Sequence, residues 1–358
     1  MVGKIVFRVD ASISIGTGHV MRCLTLAEAL KSKGVEVVFI CREHEGNLIQ
    51  VIEQKDFEVI RLGSAKIELP VEKDDLFHAQ WLGVTQRQDA LECIALMKQI
   101  RPDWVVVDHY SIDYRWQGML RSYCKKIMVI DDLADRKHNC DVLLDQTFGR
   151  KEESYKPIVP RGCLLLVGAE FSLLRPEFAK WRDYSLKRRV NPVFKKILVT
   201  MGGVDSENIT REVLTALQNC NLSDDIQIIV IMGATAPHLE SIKQLTKEMV
   251  HQTEVKVNVS NMAEIMAEAD LAIGAAGATT WERCCLGLPS ILVVLAENQR
   301  FIADLVGRGN ISIILDSARL QKVCEEIDMI LSELKEYSQR SAKVTNGSGV
   351  SKVVEQIL

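Results

Sequence analysis

No two of the ten cysteines stand in a C-x-x-C pair, and the seven histidines form no H-E-x-x-H motif. Zinc sites need ligands at such spacings, so no metal is expected. Most of the cysteines lie in apolar stretches, where a free thiol packs as a small hydrophobe, and the adjacent Cys284 and Cys285 face different ways on a helix. Free thiols in a reducing, cytoplasmic compartment are therefore expected. A basic excess is missing as well. The 44 Lys and Arg are outnumbered by 48 Asp and Glu, a formal charge of −4, which leaves nothing to neutralise a phosphodiester backbone. Aromatics make up 6% of the chain and do not interleave with basic residues, so no nucleic-acid partner is expected. The longest largely apolar run, Leu286 to Ala296, contains Pro289 and is about half a membrane span. The opening MVGKIVFRVD reads as a strand entering a loop, without a signal-peptide core, and no membrane partner is expected.

What is present is an ordinary globular composition, 47% hydrophobic and 26% charged, over 358 residues, which suits two domains. Each half can bury a core that needs no metal or disulfide staple. Apolar β-like runs alternate with amphipathic helical patterns along both halves. Lys4–Asp10 and Lys196–Thr200 each open a strand, a glycine-containing loop and a helix, from about Gly18 and about Asn208. Strands apolar nearly throughout and separated by helices predict parallel sheets covered on both faces. The expected architecture is α/β, with two Rossmann-like, doubly wound parallel-sheet domains at 1–185 and 195–358 facing a cleft. The charged stretch Trp181–Lys196, with Pro192, reads as the linker. A helix over Leu320–Tyr337 and the tail after Gly349 read as parts of the second domain.

Asp10, Asp108, the pair Asp131 and Asp132, and Asp145 with Gln146 each end a strand of the first half. Carboxyl ends of parallel strands line the crevice in which ligands bind, although an Asp there also suits a turn or a helix cap. Gly16-Thr17-Gly18-His19, with Arg22, lets a backbone approach a ligand at a helix start. Met21 stands where a dinucleotide fingerprint needs its third glycine, so no NAD or other cofactor is expected. An imidazole at that position can accept a proton near neutral pH, or can simply cap the helix. In the second half, Gly274 to Gly277, then Thr279 and Glu282, then Gly287-Leu288-Pro289, form a small-residue loop opening a helix. That geometry suits a diphosphate, and Glu282 suits a ribose diol; Thr279-x-x-Glu282 is equally a capping box. Gly202-Gly203 repeats the loop after the opening strand of this half.

With these residues in view, the second half resembles the nucleotide domain of GT-B glycosyltransferases of the MurG type. The resemblance runs through Asn261-Met262, Ala269-Asp270-Leu271, Gly274 to Gly277, Glu282 and Gly287-Leu288-Pro289. The whole chain resembles a narrower group through Phe7 to Asp10, Gly16 to His19 with Arg22, Asp108-His109-Tyr110, Asp131-Asp132, Leu174-Arg175-Pro176 and Asn298-Gln299. That group is the UDP-sugar hydrolase (PseG) family of pseudaminic acid biosynthesis, which acts on UDP-2,4-diacetamido-2,4,6-trideoxy-β-L-altropyranose. The resemblance implies a GT-B fold, release of UDP and no metal. It places the catalytic base at His19, sugar contacts at Tyr110 and Asn298, and substrate and nucleotide contacts at Arg175 and Glu282. Asp10, expected to orient His19, joins Gly18 and Arg22 as substrate-binding candidates, with Gly202, Gly203, Gly277 and Thr279 for the nucleotide. A GT-B glycosyltransferase, a hydrolysing 2-epimerase and a nucleotide-sugar sensor are the rival functions. The segment near 60–86 carries no legible motif.

Overall fold

A computed structural model describes residues 3–64 and 76–358. Residues 65–75 of the segment without a motif lie outside the described residues. The chain divides into two compact units, 1–173 with 349–358, and 174–348.

The first unit is built on β1 (Lys4–Val9), α1 (Gly18–Lys31), β2 (Glu36–Arg42), α2 (Ile49–Glu53), β3 (Glu58–Leu62), α3 (Gln86–Ile100), β4 (Trp104–Asp108), α4 (Tyr114–Leu120), β5 (Lys126–Ile130), β6 (Val142–Asp145) and β7 (Leu164–Val167). The seven strands form one parallel sheet in the order β3-β2-β1-β4-β5-β6-β7. Alternation along the strands divides the core. Ile5, Phe7 and Val9 of β1 and Val106 of β4 pack with Val20, Leu24 and Ala27 of α1. Val6, Val105 and Val107 pack on the opposite face with Cys93 and Met97 of α3 and Trp116 of α4. That division decides the chemistry of the site below.

The second unit holds α5 (Pro176–Arg188), β8 (Lys196–Thr200), α6 (Ile209–Gln218), β9 (Gln227–Met232), α7 (Leu239–Thr246), β10 (Gln252–Val257), α8 (Met262–Glu268), β11 (Leu271–Ala275), α9 (Thr279–Cys285), β12 (Ser290–Val294), α10 (Glu297–Arg308), β13 (Ile313–Asp316), α11 (Val323–Ser332) and α12 (Leu334–Ala342). Its six parallel strands run β10-β9-β8-β11-β12-β13. The last element, α13 (Gly349–Ile357), returns to the first unit.

Four expectations are corrected here. The first half of the stretch read as a linker is the end of α5, which packs on α8 and α9 of the second unit. Its charges terminate buried helix ends. Arg182 donates to the carbonyls of Cys285, Thr345 and Ala342, and Arg189 to those of Leu286, Ala269 and Met266. The boundary therefore falls after Leu173 rather than between 185 and 195. The tail read with the second domain belongs to the first, because Val350, Val353, Val354 and Ile357 of α13 share the core with Leu26 and Leu30 of α1. The stretch Leu320–Tyr337 is not one helix but a 3-10 turn followed by α11 and α12, broken at Glu333. Finally, not all thiols are free. Cys220, just past α6, and Cys324 at the start of α11 form a disulfide, because these two helices pack together on one face of the sheet.

Candidate active site

His19 is the second residue of α1 and lies over the carboxyl ends of β1 and β4. Its Nδ1 is 2.6 Å from Asp108 Oδ1. Arg22, one helical turn on, grips the same carboxylate as a fork, Nε to Oδ2 at 2.6 Å and Nη2 to Oδ1 at 2.7 Å. Its remaining nitrogen reaches Asp132, which also accepts the Tyr110 hydroxyl at 3.0 Å. The Tyr110 ring meets the His19 ring edge-on, 4.6 Å between centroids. The sequence-derived candidates His19, Arg22 and Tyr110 thus form one cluster, joined by Asp108 and Asp132.

Burial by itself would raise the Asp108 carboxyl, but Arg22 and then His19 outweigh it and hold it well below the usual carboxylate range. An ionised carboxylate only accepts hydrogen bonds, so Nδ1 of neutral His19 carries the proton and Nε2 presents its lone pair. The imidazole is held by Asp108 in one tautomer and does not cap the helix.

Asp10 does not orient His19. One residue past β1, it lies on the face of Val6 and Arg8, opposite α1. Its Oδ1 accepts from Arg8 Nη1 at 2.7 Å and from the Arg42 amide at 2.7 Å, while Oδ2 is 3.3 Å from His109 Nε2. Asp108 has the other parity in β4, on the face of Val106 and α1. Strand alternation gives His19 to Asp108 and His109 to Asp10. Asp10 is 1% exposed and engaged in this network, which also contains Asp89 and Trp116. A substrate-binding role for Asp10 finds no support in this placement. The signal that distinguishes the two carboxylates was present in the sequence: Arg8 and Asp10 stand two residues apart in a strand and must share a side.

In the second unit, Glu282 lies in the first turn of α9 with its side chain 16% exposed. Burial raises its carboxyl above the ordinary value, opposed by Arg175, whose Nη2 is 3.7 Å away. Arg175 and Glu282 are thus together. The capping box does not form. Ala278, not Thr279, is the N-cap, and no side chain caps the helix. The loop is held from beneath by Arg283, which donates to the carbonyl of Ala275 at 2.7 Å and to Thr280 Oγ1 at 3.2 Å. Burial lowers this guanidinium to about 10.

Gly202, in the loop after β8, has φ +96°, a conformation side chains rarely adopt. Apart from the flanking residues and, for Gly18, its own helix backbone, no atom of the described residues lies within 4 Å of where a Cβ on Gly18, Gly202 or Gly277 would stand. The helix following Gly202-Gly203 does not present its first amides to a ligand, because Asp205 accepts from Ile209 and Thr210 at 2.9 and 3.0 Å. Gly233, which sequence reasoning passed over, sets that loop: a Cβ on it would come 2.2 Å from the Gly203 carbonyl oxygen. Asn298 is the second residue of α10, one residue past the β12–α10 loop.

Two parallel-sheet units of this kind define a GT-B fold, as found in glycosyltransferases and in nucleotide-sugar epimerases. Residues 196–357 match the model of the glycosyltransferase family 28 C-terminal domain. The solved structure of MurG from Acinetobacter baumannii superposes with a TM-score of 0.70 at 16% identity, covering 99% of both chains. Among curated proteins, the chain is 24% identical to the UDP-2,4-diacetamido-2,4,6-trideoxy-β-L-altropyranose hydrolase of Campylobacter jejuni, over 85% of this chain and 96% of that protein. It is 29% identical to an uncharacterized protein of Methanocaldococcus jannaschii, over 84% of this chain but only 57% of that protein. The chain thus resembles a UDP-sugar hydrolase over most of its length, and its residues 196–357 resemble the C-terminal domain of a glycosyltransferase family. Among the described residues, no helix is long and apolar enough to cross a membrane.

Proposed function

We propose that the chain hydrolyses UDP-2,4-diacetamido-2,4,6-trideoxy-β-L-altropyranose at the anomeric C–O bond with inversion, releasing UDP and the free sugar for pseudaminic acid biosynthesis. The observation that carries this reading is the 2.6 Å bond between His19 Nδ1 and Asp108, which leaves Nε2 able to take a proton from water. That water attacks C1 while the UDP oxygen departs from the opposite face. A nucleoside diphosphate leaves as a stable anion, so the reaction needs a base but no acid, in contrast to the paired carboxylates of glycosidases. Backbone amides around Gly202-Gly203 and Gly277–Thr279 stabilise the departing charge, and Glu282 accepts from the ribose hydroxyls. Gly18, Tyr110, Arg175 and Asn298 contact the sugar or its diphosphate. Arg22 acts through Asp108 and Asp132, since its guanidinium already serves both. No metal is needed by a leaving group that is already an anion.

The match to a glycosyltransferase family 28 C-terminal domain favours one alternative, transfer from the same donor to an acceptor hydroxyl. One incubation separates them. With the diacetamido UDP-sugar and no acceptor, UDP and inverted free sugar are expected by NMR, and His19→Ala is expected to lose about 10²- to 10⁴-fold in rate. UDP release only when an acceptor is added would establish transfer, and unchanged turnover in His19→Ala would remove the base.

A further inference from the structure

The segment 76–82 carried no motif, yet it places aromatic rings against the active-site tyrosine. Ala79–Leu82 form a 3-10 turn that closes on Gly83 with φ +76°. Trp81 lies nearly parallel to Tyr110, 25° between planes and 5.9 Å between centroids. His78 packs beside both, 4.1 Å from Trp81 and 5.5 Å from Tyr110. Phe77, 4.9 Å from His78, extends the same aromatic surface and is 81% exposed. The wall therefore runs from the ring touching His19 outward to solvent.

Its position is anchored by the fold. Ser111, next after Tyr110, donates its hydroxyl to the His78 carbonyl, Leu82 is buried in the sheet core, and Gln86 accepts from the Asp113 amide. Burial lowers the His78 imidazole and so disfavours a charge on the wall. The opposite side of the cluster is ionic, made of Arg22, Asp108 and Asp132 already paired with one another. Arg136 lies over the Tyr110 ring, 5.7 Å from its centroid, so the apolar part of the wall is the part made by Trp81 and Phe77.

We propose that Phe77, His78 and Trp81 form the subsite for the sugar's apolar substituents, its N-acyl methyl and C6 methyl groups, and so select N-acylated 6-deoxy sugars. The inference rests on the UDP-sugar reading above. The rings present flat, polarizable faces, and a methyl group seated on one leaves water at little cost in sugar conformational freedom. A hydrophobic pocket discriminates by about 10- to 200-fold for a group of this size.

The test compares kcat/KM for two substrates, the diacetamido UDP-sugar and the same sugar nucleotide with an unacylated amine at C4. Wild type, Trp81→Ala, Trp81→Phe and Phe77→Ala are each measured. The wild-type preference for the acylated substrate is expected to fall about 10-fold or more in Trp81→Ala, chiefly through KM, and to be largely kept in Trp81→Phe. Phe77→Ala, a change at an exposed side chain, is expected to lower it by a smaller factor and remains informative if Trp81→Ala does not fold. Unchanged preference in both alanine variants, or in Phe77→Ala alone where the other is unfolded, overturns the subsite while wild-type hydrolysis still stands. If wild type releases UDP from neither substrate, the hydrolase reading itself has failed, and the subsite with it.

Discussion

Replacing Asp108 by Asn keeps the shape of the side chain and removes two properties, its negative charge and the ability to accept on both sides. Arg22 donates to both carboxylate oxygens and His19 donates to one of them. An amide has a single acceptor oxygen. If that oxygen faces Arg22 Nε, the NH2 group faces His19 and forces the proton onto Nε2, so the ring can no longer act as a base. If the oxygen faces His19, the NH2 group opposes the Arg22 Nε–H, and the fork that aligns the site is lost. The first arrangement removes the base; the second keeps the tautomer but leaves the Arg22 Nε–H without its acceptor, and it is the first that carries the rate prediction. A buried donor left without an acceptor costs about 1–3 kcal/mol of stability, and Arg22 retains Asp132, so the variant is expected to fold. Loss of the correct tautomer is expected to lower kcat by about 10²- to 10⁴-fold. UDP release followed by phosphorus NMR, below the melting temperature of the variant, gives the number. A folded Asp108→Asn protein with turnover within about threefold of wild type would refute the pairing as the source of the base.

Three further outcomes follow from the second unit. The folded-state pKa of Glu282 is raised by burial, so its favourable contribution is complete below the unfolded value and disappears as pH rises through the folded one. Glu282→Gln is therefore expected to raise the melting temperature at pH 7 more than at pH 4 while weakening UDP binding at pH 7; an equal shift at both pH values would contradict the burial argument. Gly233→Ala places a methyl group 2.2 Å from the Gly203 carbonyl oxygen, so the loop must move, and a loss of UDP affinity of about tenfold or more by calorimetry is expected. Cys220 and Cys324 close a loop across a sequence separation of 104. Cys220→Ser, or reduction, is expected to destabilise by about 2–4 kcal/mol in denaturant unfolding, and an unchanged midpoint would show that the two sulfurs do not bond in solution.

Much of the site was legible before any coordinates. The glycine loops, the imidazole at the helix start and the buried acid one turn into a second helix are local patterns, and local chemistry requires their residue types. His109 follows Asp108 and must face the other way, and its partner is Asp10. The error over Asp10 has the same origin. Both aspartates end strands, and only the side of the sheet on which each falls relative to α1 tells them apart.

The chain's pattern of apolar strands and amphipathic helices dictated two parallel-sheet units, because such strands are stable only when helices cover both faces. What only the tertiary structure decided is which distant residues share a face. Arg182 and Arg189 read as solvated linker charge until buried carbonyls are found to accept from them. The last nine-residue helix is amphipathic by sequence, but nothing in it names α1 as the surface that covers it. The aromatic residues of 76–82 have no periodic signature, and acquire a setting only when the turn is folded against Tyr110. Sequence spacing encodes neighbours along one element, whereas pairing between elements depends on sheet order and strand parity, which the whole chain must settle together.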